Sequence, residues 1–73
     1  MFEKETKQNF IKTHETITKC NYELLEIYEN VKMLDKFGYN IDTDKYFKKL
    51  TEIQKLLAEL KTINNDEYNK IFK

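Results

Sequence analysis

Residues 10–34, with the sequence FIKTHETITKCNYELLEIYENVKML, decide the fold, because their apolar side chains recur on a seven-residue repeat. The first position of the repeat is occupied by Phe10, Ile17, Leu24 and Val31. The second position, three residues later, is occupied by Thr13, Cys20, Ile27 and Leu34. This spacing is typical of the a and d positions of a helix that packs lengthwise on other helices. The segment therefore predicts association between helices, and it indicates no reaction.

The size and composition of the chain favour a short helical bundle. It has 73 residues, of which 36% are charged and 40% hydrophobic, with one glycine and no proline. This length supports one domain, and the composition suits helices better than a sheet. In so short a chain, the free energy gained by apolar burial is about equal to the conformational entropy lost on folding. We therefore expect self-association to supply additional burial.

The charges and the single cysteine limit the partners and the location. Thirteen lysines balance thirteen acidic residues and arginine is absent, which argues against a dedicated nucleic-acid binder. One cysteine cannot form an internal disulfide, and the N-terminus lacks the pattern of a secretory signal. No apolar run is long enough to cross a membrane. We expect a cytoplasmic protein with no membrane partner.

The first helix is predicted over about residues 5–37. Its start has two alternatives, which are Thr6 as the N-cap or a first turn in which Glu3 and Glu5 lie near the positive helix end. Gly38 follows the last apolar residues and is expected to end the helix as the C′ residue. Glycine suits this position because it tolerates the left-handed conformation found there.

A turn over residues 38–42 and a second helix over about residues 43–63 are predicted next. Asp42 is the expected N-cap of the second helix, and Thr43 is the alternative. So short a connection makes the two helices antiparallel neighbours. The sequence therefore predicts an all-α fold, an antiparallel helical hairpin.

Folding the chain at this turn brings apolar residues of the two helices together, for example Val31 with Leu50. The predicted seam of the core and the dimer comprises Phe10, Ile17, Cys20, Leu24, Ile27, Val31, Leu34, Leu50, Ile53, Leu57 and Leu60. Further apolar residues lie outside this seam. They are too numerous for a single partner helix to cover. We therefore expect two hairpins to dimerise into a helical bundle. The alternative is a monomeric three-helix bundle in which residues 64–73 cap the hairpin.

The C-terminal residues form the second candidate site. Asn64 and Asn65 are poor helix formers, so residues 64–73 are predicted to form a short helical segment, either a third helix or a frayed extension of the second. The residues that could bind a partner are Tyr68, Lys70, Ile71, Phe72 and Lys73. Two alternatives stay open. The apolar residues fold back on the first helix, or they serve as anchors for another protein, flanked by cations.

No pattern in the chain predicts catalysis or a cofactor. His14 and Cys20 are the only histidine and cysteine, whereas a structural zinc site needs about four nitrogen or sulfur ligands. Cys20 has no motif beside it that would supply a base or an oxyanion hole. We predict no metal, no cofactor, no catalytic residue and no enzymatic activity.

Two rows of like charge lie on the helices. The acidic row is Glu23, Glu26 and Glu29, and the basic row is Lys45, Lys48 and Lys49. We interpret them as charges that orient two hairpins as they meet. Contact of the basic row with nucleic acid is the alternative, because aromatic residues lie among the lysines.

A small, lysine-rich helical hairpin that ends in a basic and apolar segment resembles the internal scaffolding proteins by which staphylococcal phage satellites (pathogenicity islands) redirect capsid size. The resemblance covers the length, the hairpin pattern and the tail Lys70–Lys73. It implies a helical dimer whose C-terminal segment binds the major capsid protein of a helper phage. It also implies a location in the bacterial cytoplasm and inside assembling procapsids.

The predicted function is therefore that of a non-enzymatic assembly factor, an internal scaffold. Two alternatives remain. One is a small phage or mobile-element inhibitor that binds a host or defence protein, and the other is a nucleic-acid-associated regulator.

Overall fold

The computed structural model describes residues 2–72, and nearly all of them are helical. Helix α1 spans Glu3–Lys36 and helix α2 spans Thr43–Phe72, and no strand occurs within the described residues. The start of α1 packs on the end of α2, since the ring centroids of Phe10 and Tyr68 lie 5.6 Å apart. The predicted all-α antiparallel hairpin is confirmed.

The N-terminus of α1 follows the second of the two predicted alternatives. Glu3 and Glu5 lie in its first turn, where negative charge interacts favourably with the helix dipole. The Thr6 hydroxyl does not cap the helix. It donates to the carbonyl of Phe2 at 2.6 Å, four residues back. The helix therefore begins two residues before the predicted start near residue 5.

The turn between the helices forms as predicted. Gly38 follows the C-cap residue Phe37 and has φ +84°, the left-handed conformation expected of a C′ glycine. Its N–H donates to the carbonyl of Asp35 at 3.1 Å, which satisfies one of the last carbonyls of α1. Asp42 caps α2, because its Oδ1 accepts a hydrogen bond from the N–H of Lys45 at 3.2 Å.

The C-terminal part of the chain follows one of the two predicted alternatives, an extension of the second helix, and the predicted boundary near residue 63 is wrong. Helix α2 has no boundary after residue 63 and continues to Phe72, so the described residues 64–72 are its last turns. Asn64 does not interrupt the helix. Its side-chain Nδ2 donates to the carbonyl of Phe10 at 3.1 Å, a contact across the two helices. Lys73 lies outside the described residues.

The hairpin is a single layer of helices and not a compact globule. Its Cα atoms extend over 58 × 16 × 11 Å. The radius of gyration is 17.1 Å, against about 11 Å for a compact domain of this length. The buried side chains within residues 2–72 are Ile17, Leu24, Val31 and Leu50. The two helices bury a row of three side chains on α1 and one side chain on α2, and they leave both faces of the layer uncovered.

Candidate association surface and C-terminal segment

Helix α2 covers only one edge of the predicted α1 seam. The a-position residues Ile17, Leu24 and Val31 are buried. The d-position residues Ile27 and Leu34 are 43% and 42% exposed. The seven-residue repeat is therefore shared between two surfaces, the intramolecular contact at the a positions and an uncovered surface at the d positions.

Helix α2 shows the same division. Leu50 is buried and Leu57 is half-buried, while Ile53 and Leu60 are 42% and 46% exposed. The exposed residues belong to a largely apolar stripe along one side of α2, at the helical spacing of three and four residues from Ile53 onward. Its members are Tyr46, Ile53, Leu56, Leu60 and Ile63, all of them exposed.

The exposed edges of the two helices lie on the same side of the hairpin. Ile27 and Ile53 line one shallow groove of about 580 Å³. Cys20 and Leu60 line a second groove of about 470 Å³ farther along the hairpin. We call this surface the groove face, and it comprises Cys20, Ile27, Leu34, Tyr46, Ile53, Leu56, Leu60 and Ile63.

The opposite side of the hairpin is chemically different, and we call it the polar face. The side chains that line its depressions include His14, Gln54, Lys61 and Asn65. Its exposed apolar residues comprise Ile11, which stands apart, and Leu25 and Tyr28, which line one depression together with Phe47. The exposed residues of the predicted seam therefore lie on the groove face, whereas most of the apolar residues outside the seam, such as Leu25 and Tyr28, do not.

The predicted partner-binding residues divide into two groups. Tyr68 and Phe72 belong to an aromatic cluster with Phe10, whose ring lies edge-on to both at centroid distances of 5.6 and 6.4 Å. The ammonium of Lys7 lies 4.9 Å from the centroid of the Phe72 ring, within the range of a cation–π contact. This part of the tail folds back on α1.

The other group is exposed. Ile71 is 57% exposed, and Lys70 is exposed on the same turn, where it forms an ion pair with Glu67 at 3.1 Å. The predicted anchor Ile71 and the neighbouring cation Lys70 are thus both accessible to a partner protein. The last predicted residue, Lys73, lies outside the described part of the chain.

The remaining candidate residues do not gather into a site. His14 is exposed beside Asn65 and Tyr68, and Cys20 is half-buried in the groove beside Leu57. Residues 2–72 contain no cluster of three or more side chains suited to bind a metal ion. Neither helix combines the length and apolar character needed to cross a bilayer.

No known protein family, no curated protein and no solved structure matches the chain.

Proposed function

We propose that the protein is a non-enzymatic assembly factor, an internal scaffold that dimerises and binds a phage major capsid protein through its C-terminal segment. In this role it redirects the size of the capsid. The partner class rests on the resemblance to the scaffolding proteins of phage satellites. The dimer and the location of the docking residues rest on the surfaces of the hairpin.

The observation that carries the proposal is the uncovered groove face. The hairpin exposes 6349 Å², whereas a compact monomer of 8.9 kDa exposes about 4,800 Å². The difference, about 1,500 Å² over the whole hairpin, exceeds the roughly 800 Å² that each partner buries in a standard interface. A second copy of the hairpin, presenting the same face, would cover the groove face and form a four-helix bundle.

The end of α2 supports the docking role. The aromatic cluster anchors Tyr68 and Phe72 on α1, which holds the last turn helical and leaves Ile71 and Lys70 facing outward. A lysine contact on a surface is weak and sensitive to salt. A scaffold needs such reversible contacts, because it binds many shell subunits and then leaves them. A dimer with two docking segments strengthens them through multivalency.

Co-expression with the major capsid protein of a candidate helper phage tests the proposal. We expect the protein to be recovered with capsid protein and the shells to be smaller than those formed by capsid protein alone. Ile71→Glu should abolish both effects. The matched control is Ile11→Glu, which introduces the same charge at a residue of similar exposure, 53% against 57%, on the polar face.

Two results would contradict the proposal. Ile71→Glu that still reduces shell size would remove the C-terminal segment from the docking site. A wild-type protein that leaves shells unchanged and captures a different host protein would favour the inhibitor hypothesis.

A further inference from the structure

We infer that the dimer forms by antiparallel packing of α2 on α2 of the second copy, across a two-fold axis near Ile53 and Leu56. This inference rests on the proposed dimer and specifies its arrangement. Two flat hairpins can stack by their groove faces in two symmetric ways. In one, α2 lies on α2 and runs antiparallel to it. In the other, α2 lies on α1 of the second copy.

The first reason is that the apolar stripe is longer on α2, where Lys49 is the one polar residue between Tyr46 and Ile63 at a stripe position. Its residues Tyr46, Ile53 and Leu60 recur every seven residues, and Leu56 and Ile63 fill the positions between and beyond them. The stripe on α1 is interrupted. Thr16 lines its groove, and the equivalent positions one and two repeats later are held by Glu23 and Asn30.

Packing α2 on α1 of the second copy would therefore place part of the apolar stripe against exposed polar side chains. A buried polar group without a hydrogen-bond partner destabilises an interface. Packing α2 on α2 places the stripe against itself, which is the self-complementary contact that a two-fold interface requires.

The second reason is the distribution of charge along α2. The first half of the stripe has three cations and one acid, of which Lys49 lies within the stripe and Lys45, Lys48 and Glu52 lie beside it. Beside the second half lie three acids and one cation, Glu59, Asp66, Glu67 and Lys70. All eight side chains are exposed. Antiparallel packing brings the basic half of each helix to the acidic half of the other, and complementary charges fix the orientation of such contacts.

Most apolar and charged residues agree on one register, and the exception is Glu52, which lies beside the partner's Glu59 in it. An axis between Ile53 and Leu56 places Tyr46 beside the partner's Ile63 and Lys45 beside the partner's Asp66. Among residues 2–72, Lys45 forms no ion pair within its own chain, so it is available for this contact. In this register the two C-terminal ends point in opposite directions and lie about 50 Å apart, at 1.5 Å per helical residue. Each dimer would then reach two separate docking partners.

Disulfide crosslinking of single-cysteine variants tests the arrangement. In a Cys20→Ala background, cysteine is placed at Leu56, at Tyr46 or at Ile63, all of them exposed in the hairpin. We expect Leu56→Cys to crosslink with itself. Tyr46→Cys and Ile63→Cys should each crosslink poorly alone, and an equal mixture of the two should form the mixed disulfide.

Thr51→Cys, which lies beside Gln54 away from the groove face, gives the rate of random collision. Within a dimer the effective thiol concentration is in the millimolar range, so specific pairs should react roughly 100-fold faster than Thr51→Cys at micromolar protein. Circular dichroism of each variant establishes that the helices are retained.

The outcomes separate the inference from the proposed function. Two results obtained with a dimeric mass would overturn the antiparallel α2 arrangement and leave the dimer intact. In the first, all α2 variants crosslink no faster than Thr51→Cys. In the second, only Tyr46→Cys and Ile63→Cys crosslink, each with itself. A monomeric mass at every concentration would overturn both the arrangement and the dimeric scaffold.

Discussion

The groove face and the polar face of the hairpin contain exposed apolar residues in different arrangements. On the groove face, Ile27 and Ile53 meet across the interhelical groove and continue into a stripe along α2. On the polar face, Leu25 and Ile11 are separated by polar side chains such as His14. Only a contiguous apolar patch is a sign of an interface, whereas isolated apolar residues are ordinary on protein surfaces. A single associating face closes a dimer and does not propagate a filament.

The largest expected effect is on the groove face itself. Ile53→Glu would place two carboxylates near the two-fold axis, where they lose hydration and repel each other. We expect the dimer dissociation constant to rise at least about 100-fold, corresponding to roughly 3 kcal/mol. The control is Leu25→Glu on the polar face, where Leu25 is 51% exposed and Ile53 is 42% exposed. This substitution should change the dissociation constant little. Analytical ultracentrifugation measures both constants, and equal effects of the two substitutions would remove the distinction between the faces.

The second prediction separates the stability of the hairpin from that of the dimer. Phe10→Ala removes the ring that contacts Tyr68 and Phe72, and we expect the free energy of unfolding to fall by about 2 kcal/mol, less than for a fully buried phenylalanine. Phe2→Ala is the control, since Phe2 is 70% exposed. Chemical denaturation at a fixed protein concentration measures the change. Equal stability of both variants would show that the aromatic cluster contributes nothing to the fold.

The third and smallest effect concerns the charges that flank the stripe. Lys45→Glu combined with Lys48→Glu should weaken the dimer by about tenfold at low salt, because exposed ion pairs contribute about 0.2–1 kcal/mol each. The difference from wild type should disappear near 1 M salt. Lys32→Glu combined with Lys61→Glu changes the net charge equally on the polar side and should have a smaller effect. Equal dissociation constants for the Lys45→Glu, Lys48→Glu variant and the Lys32→Glu, Lys61→Glu variant would contradict antiparallel α2 packing.

Local signals made the two helices and the turn predictable from sequence. Gly38 and Asp42 act on backbone groups within three residues of themselves, so their roles as helix stop and helix cap follow from residue type. The α1 start was ambiguous because Thr6 suits a cap as well as a helical turn. Its hydroxyl instead bonds four residues back, as do those of other threonines in α1.

Long-range contacts made the remainder unpredictable. The continuation of α2 depends in part on Asn64, which bonds to Phe10, 54 residues away in the chain. The heptad repeat identifies apolar positions but not the direction of the partner helix. It therefore could not separate the buried Ile17 and Leu24 from the exposed Ile27 and Leu34. Leu56 and Ile63 are apolar residues outside the predicted seam, and only the structure shows that both are exposed.

The most direct test of the central claim is the mass of the protein in solution, measured by light scattering or sedimentation over a range of concentrations. The uncovered groove face predicts a mass twice the 8.9 kDa of one chain, falling toward that value only on dilution. A mass of 8.9 kDa at every concentration would contradict the claim that a second copy covers this face.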